Sequence, residues 1–289
     1  MDGRVDVRKT YKLFIGGAFP RSESGRTYAV ADTKGRFLAN ASLASRKDAR
    51  DAVVAARSAQ PKWWAATAYN RGQILYRIAE MLEGRRAQFE EEVASAEGIS
   101  SRRATATVDA AIDRWVWYAG WSDKIAQVLG SSNPVAGPYF TFSVPQPTGV
   151  VAAIASQRSS LLGLVSAVAP IIVGGNTCVV VAAEERPLPA ITLAEVLATS
   201  DLPGGVVNIL TGRPAEIGPW LASHADVNAL DLTGVEDDAL ATEMSVDAAV
   251  NVKRVLARPR KTPDWFDAPG LDRMRAFVET TTVWHPIGV

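Results

Sequence analysis

Between residues 148 and 234 the apolar positions come in short unbroken runs rich in β-branched residues, at 150–154, 178–181, 206–210 and 227–232. Each run is too brief for a helix and is bounded by Gly, Pro or Asn, so the pattern predicts four strands. Between the first two, 161–173 is apolar on nearly every side and stops at Gly174-Gly175, as a buried crossover helix does. Between the next two, 188–198 carries an apolar stripe with Glu195 opposite, and Asp201, Pro203 and Gly204 end it. Continuously apolar strands joined by single helices form a parallel sheet covered on both faces and wound right-handed. The predicted class is α/β with a doubly wound sheet.

Upstream the period changes. Residues 11–19 (YKLFIGGAF) read as strand, Gly-Gly turn, strand, with further β segments at 27–30 and 37–41. Ser45 caps a helix with an acid three residues on, at Asp48, and Ala49, Val53 and Ala56 follow at helical spacing. After Pro61, residues 68–95 place Ile74, Leu75, Ile78, Leu82, Phe89 and Val93 on one face. A third helix is expected from about 105 to 129. Its Trp115, Trp117, Tyr118 and Trp121 read as core or subunit packing rather than a ligand cage.

Residues 134–147 (PVAGPYFTFSVPQP), bounded by Pro134 and Pro147, alternate as an exposed two-sided strand. Such an unpaired edge needs a partner. Near the end, 277–284 (FVETTTVW), from Phe277 to Trp284, has strong β propensity after a short charged helix-like piece at 270–275.

The order TGVVAAI, a break, a long apolar helix, GGNT, VVV, AEERPL, LPGGVVNILTG, ASHADV and LTG resembles the cofactor-binding domain of the aldehyde dehydrogenase superfamily. The resemblance implies a Rossmann-like cofactor domain over residues 1–260, with 134–147 as an oligomerisation strand. Residues 261–289 are then a linker and a C-terminal oligomerisation strand. NAD(P) is the implied cofactor.

It also implies departures. The family's catalytic domain belongs between the cofactor domain and the terminal strand, where this chain has only 261–269 (KTPDWFDAP), an ordinary connection. That domain carries the nucleophilic thiol. The only cysteine, Cys178, falls in a strand and reads as a small buried apolar residue. Arg158 stands where the family has the Asn that steadies an oxyanion. At the second strand's end Glu184 matches the family's ribose-binding Glu, while Val181 stands in place of its Lys. In the glycine-bearing turn, Leu232, Thr233 and Gly234 are followed by Val235 instead of Ser, and Ala239 lies near the last Gly position. LARPRK at 256–261 replaces the segment bearing the general base. The residual cofactor contacts the resemblance leaves are Glu184, Gly212 and Gly234; no catalytic residue is left.

Composition narrows the remaining classes. In 289 residues, 47% hydrophobic with 22 Gly, the chain can bury an ordinary core. Lys plus Arg and Asp plus Glu are 31 each, which gives no field for nucleic acid or an anionic membrane. A charged start, the absence of an apolar run near 18 residues and one unpaired cysteine point to a soluble cytoplasmic protein. His224 and His285 stand apart from any metal-spaced cluster. The basic run Arg254, Arg258, Arg260, Lys261 reads as a solvated face, and Glu236-Asp237-Asp238 as a helix start.

Two functions follow. The first is a catalytically deficient homologue, similar to the inactive second module of tandem-module aldehyde dehydrogenases. It assembles with a full-length aldehyde dehydrogenase subunit, or with itself, through 134–147 and 277–284 and keeps little or no NAD(P) binding. The second is an NAD(P)-dependent component whose active site a partner completes or shares.

Overall fold

The computed structural model describes residues 9–288. The charged start at 1–8 and residue 289, both within the domain bounds given above, lie outside the described residues.

At the N-terminus β1 (Thr10–Tyr11), β2 (Thr27–Ala31) and β3 (Phe37–Ser42) form a sheet in the order β1-β3-β2. The expected hairpin at 11–19 shrinks to a single bridge. Ile15 and Ala18 pair across Gly16-Gly17, whose φ of 62° and 84° only glycine adopts freely. Phe14 instead trades hydrogen bonds of 2.9 and 2.8 Å with Ile209. The segment thereby covers the exposed edge of the main sheet, which would otherwise present unpaired backbone groups.

Five helices follow: α1 (Arg46–Ala65), α2 (Ala68–Glu83), α3 (Arg86–Glu97), α4 (Ser101–Ala119) and α5 (Ile125–Leu129). Ser45 and Asp48 close a reciprocal capping box on α1. The stretch 68–95 is two helices rather than one, parted at Gly84 and Arg85. The helix expected from 105 to 129 stops at Ala119. There the Ser122 hydroxyl donates to the Ala119 carbonyl at 2.9 Å, the local side-chain bond that competes with helix continuation.

The chain then runs β4 (Ser131–Asn133), β5 (Tyr139–Pro147), β6 (Val150–Ile154), α6 (Leu162–Val173), β7 (Thr177–Val181), α7 (Leu188–Ala198), β8 (Val207–Leu210), α8 (Pro214–Ser223), β9 (Ala229–Asp231), α9 (Asp238–Val250) and β10 (Arg254–Leu256). It closes with α10 (Asp272–Arg275) and β11 (Val278–Pro286). The main sheet is parallel throughout, in the order β10-β9-β6-β7-β8. The four strands read from the pattern are there; β10 lies in the basic stretch that offered no apolar run.

Strand alternation splits the interior in two. Val151, Ala153, Cys178 and Val180 pack with α2, α4, α6 and α7, and Val150, Ala152, Val179 and Val181 pack with α1, α8 and α9. Helices on both faces of a parallel sheet are the α/β arrangement the apolar runs predict. At the end of α6, fully buried Asn176 accepts from Gly149 N–H at 2.9 Å and donates to the carbonyls of Ile171 and Phe277. One amide thus fixes the start of β6 and the approach to β11.

The third sheet is a ribbon in the order β11-β5-β4. β11 pairs antiparallel with β5 from Val278↔Pro147 to Pro286↔Tyr139, so the two segments singled out as assembly strands pair within one chain. Thr141 and Ser143 face inward and are buried, while Tyr139 and Phe140 are exposed. Among the described residues no helix is long and apolar enough to cross a membrane, and no group of His, Cys, Asp or Glu could hold a metal ion.

Candidate functional site: the strand ends of the parallel sheet

The chain leaves β6 toward β7 and β8 on one side, and β9 and β10 lie on the other. The crevice between the loops after β6 and β9 is therefore the switch point where such sheets bind ligands. The loop after β6 folds on itself. Gln157 donates to the Ala155 carbonyl at 2.8 Å and accepts from Glu184 N–H at 3.0 Å, and Arg186 donates to the Gln157 carbonyl at 3.0 Å. Arg158 reaches across to Glu236, 2.8 Å away, with both side chains largely in solvent.

The loop after β9 is tied down equally. Thr233 donates through N–H and hydroxyl to Asp231 at 3.0 and 2.6 Å. A side chain at Gly234 would put its Cβ 2.2 Å from the Ala155 carbonyl oxygen, so only glycine lets the two loops touch. Val235 turns inward and is buried. Arg258 donates to the carbonyls of Val235 and Glu236 at 2.8 and 3.0 Å and pairs with Asp238, while Asp237 caps α9.

Over both loops lies the short connection that follows β10. Trp265 donates its indole N–H to Ser156 Oγ at 3.2 Å. Arg114 of α4, 7% exposed, donates to the carbonyls of Trp265 and Asp267 at 2.9 Å and to Ser166 Oγ at 2.9 Å. Burial pulls its guanidinium below the ordinary arginine value. Arg273 stands 5.6 Å from the Trp265 ring and binds the Asp231 carboxylate, and Arg103 stacks at 3.8 Å over Phe266. The cavity left among these groups is about 100 Å³.

The residues read from the sequence separate in space. Glu184 lies at the end of β7 with its carboxylate 3.5 Å from Arg213. Gly212 lies beneath the N-terminal segment, where a Cβ would meet Ala44 N at 3.2 Å. Of the three residual cofactor contacts, Gly234 alone borders the crevice, beside Arg158 and Val235. Cys178 is fully buried in β7, and burial drives its thiol far above the ordinary range. His224 and His285 stand apart from the crevice, on the C-terminal flank of α8 and in β11. Of the aromatic set, Trp115 and Tyr118 of α4 are fully buried, while Trp117 and Trp121, the latter beyond the helix end, are partly buried against the same core.

Sequence reasoning missed Asp231, Arg114, Arg273 and Trp265 as a connected set. The available signal was Asp231 itself, a charge inside the apolar run 227–232, which requires a buried partner.

For an NAD(P) molecule, the cofactor implied by the resemblance, this crevice keeps little open space and few of the expected contacts. The space is about 100 Å³, against roughly 300–1,000 Å³ for ligand pockets. Val181 offers no cation to ribose or phosphate, and the Glu184 carboxylate already faces Arg213.

Comparison with known proteins places the whole arrangement. Residues 19–258 match the model of the aldehyde dehydrogenase family. The chain is 33% identical over 240 residues to the cytosolic 10-formyltetrahydrofolate dehydrogenase of Homo sapiens, a match covering 79% of the chain and 26% of that protein. It is 34% identical over 241 residues to aldehyde dehydrogenase family 2 member B4, mitochondrial, of Arabidopsis thaliana, covering 81% of the chain and 43% of that protein. Among solved structures, an aldehyde dehydrogenase described from Burkholderia cenocepacia superposes with a TM-score of 0.80 at 30% identity, over 84% of the chain and 51% of that one. The NAD+ complex of a Bacillus cereus aldehyde dehydrogenase gives 0.79 at 25% identity, over 86% and 50%. The chain thus spans about a quarter of the first relatives' length and half of the solved chains.

Proposed function

The chain belongs to the aldehyde dehydrogenase family, and from that membership we propose that it is a catalytically deficient homologue that serves as a structural or regulatory subunit beside a full-length aldehyde dehydrogenase. The observation that carries this reading is the Trp265 segment, which follows β10 directly and fills the crevice at the strand ends. A thiol domain in its usual place would have to displace that segment and its Arg114 bonds. The β5-β11 ribbon supports the assembly part, because its outer edge is free among the described residues and aromatic side chains stand exposed on it. A cytoplasmic location goes with it, since the one cysteine is buried and unpaired.

Co-expression of the tagged chain with a full-length homologue from the same genome tests the proposal. The expected result is a mixed oligomer on purification, with no aldehyde oxidation by the isolated chain. If the two chains never co-purify, or the isolated chain turns over aldehyde after Cys178→Ala, the proposal fails.

A second reading keeps some cofactor chemistry. Glu184 retains a partly exposed carboxylate at the end of β7, a remnant a partner could complete into a dinucleotide site. Micromolar NAD binding by the isolated chain would favour it.

A further inference from the structure

Arg71 of α2 is 6% exposed, and among the described residues no carboxylate pairs with it. Its Nε donates to the Val173 carbonyl at 3.3 Å, and Nη1 donates to the carbonyls of Trp64 and Ala66 at 3.2 and 2.5 Å. The side chain thereby binds the ends of α1 and α6. These bonds use two of its three nitrogens. Nη2 has no hydrogen-bond partner among the described residues, the guanidinium carbon stands 5.4 Å from the centre of the Trp64 ring, and Arg71 lines a cavity of about 270 Å³ at the base of the ribbon. Burial lowers the guanidinium below its ordinary value, but an arginine stays charged at any working pH. The carbonyls at the ends of α1 and α6 and the Trp64 ring offset part of the cost of burying this cation, and an arriving anion would relieve the remainder.

The walls decide which anion. Trp64, Ile125 and Val278 line the same space and suit an apolar body. Asp123, also on the lining, mostly exposed and 3.4 Å from Lys124 Nζ, weakly disfavours a second negative charge. A phosphate dianion therefore fits worse than a singly charged carboxylate. We infer that this cavity binds a small monocarboxylate, its carboxylate on Arg71 Nη2 and its apolar tail against Trp64 and Val278. The inference does not rest on the assembly reading, because every group it uses belongs to this chain.

Titration calorimetry and thermal unfolding of the full chain with sodium benzoate, benzamide and inorganic phosphate provide the test. Benzoate is expected to bind saturably in the millimolar range and to raise the Tm, while neutral benzamide and phosphate do neither. Ala126, exposed on α5 at the cavity's rim, allows a variant that leaves Arg71 and its carbonyl bonds in place. Ala126→Phe is expected to weaken benzoate by about tenfold or more, with the unliganded Tm unchanged. Absence of saturable benzoate binding, equal responses to all three compounds, or unaltered benzoate affinity in Ala126→Phe would each overturn the inference.

Discussion

Arg273 Nη2 lies 2.5 Å from the carboxylate of Asp231, a side chain wholly enclosed at the end of β9. The same nitrogen lies 3.3 Å from Thr233 Oγ1, so one guanidinium from α10 holds both the strand and the loop after it. A carboxylate in a covered parallel sheet requires such a partner, and the partner comes from the segment just before β11. The pair therefore binds the terminal part of the chain onto the sheet beside the crevice.

Breaking this pair one side at a time leaves a charge without its partner. Arg273→Gln is expected to cost about 3–5 kcal/mol, because Asp231 remains buried. The double variant Asp231→Leu with Arg273→Met is expected to recover most of that loss. Urea unfolding of the three proteins measures both, and equal destabilisation by the single and double changes would show that the pair is not the source.

Trp265 is the lid of the crevice, and its removal separates packing from ligand chemistry. Trp265→Ala is expected to lose about 1–3 kcal/mol through the indole's contacts and its bond to Ser156. Calorimetric titration of the variant with NAD is still expected to show nothing tighter than about millimolar. Each lost charge-assisted contact, such as the lysine absent at Val181, removes about 1.5–3 kcal/mol that an emptied cavity does not restore.

Much of the scaffold was legible because the sheet is buried on both sides. At β6, β7 and β8 every position faces a helix layer, so the runs are apolar without alternation and stand out against their glycine and proline borders. Helix ends were less legible. Gly84 and Gly120 close α2 and α4 in ordinary αR backbone, and the apolar spacing continues past both. β10 was invisible because three exposed-to-intermediate residues, Arg254, Val255 and Leu256, make no apolar run. Beyond the charge of Asp231 inside an apolar run, the Asp231, Arg114, Arg273 and Trp265 set was unreadable for a different reason. Its members are joined by tertiary approach, with 42 positions between Asp231 and Arg273 and 151 between Arg114 and Trp265, and no local spacing encodes that.

Cys178 should behave as a core residue. It is fully buried, and burial raises its thiol well above the ordinary range, so the reactive thiolate is scarce in the folded state. Alkylation by iodoacetamide at neutral pH is expected to wait for unfolding, with a rate that climbs with urea as the unfolded population does. Rapid stoichiometric labelling of the native protein would mean that β7 opens locally.

Glu92 supplies a pH dependence with a definite sign. Burial raises its pKa above the ordinary value of 4.5, partly countered by Gln88, Lys9 and Tyr11 nearby. A raised folded pKa favours the protonated group, so this residue's contribution is fully present below about pH 4.5 and is lost as pH rises through the folded pKa. Glu92→Gln, a permanently neutral substitute, is therefore expected to gain stability over the native chain at pH 7 and to match it near pH 4. Urea midpoints at the two pH values check this; a gain that is the same at both would assign the effect to packing.

The ribbon prediction follows from which backbone groups it leaves free. β11 is an edge strand, paired with β5 on one side, and Val283 and Trp284 stand opposite Phe142 and Thr141. Successive amides along a strand point to opposite edges, so one of these two residues donates toward β5 and the other toward the free edge. Proline removes the donor at its own position. Val283→Pro and Trp284→Pro together thus remove one bond inside the ribbon and one donor that an added partner strand would use. The fold should survive both, because the two large cores contain neither residue. With the full-length homologue co-expressed, each variant is expected to lower the yield of mixed oligomer, while circular dichroism of the isolated chain stays native. If both variants assemble as the native chain does, the contact lies elsewhere and β11 is only the last strand of this subunit's own ribbon.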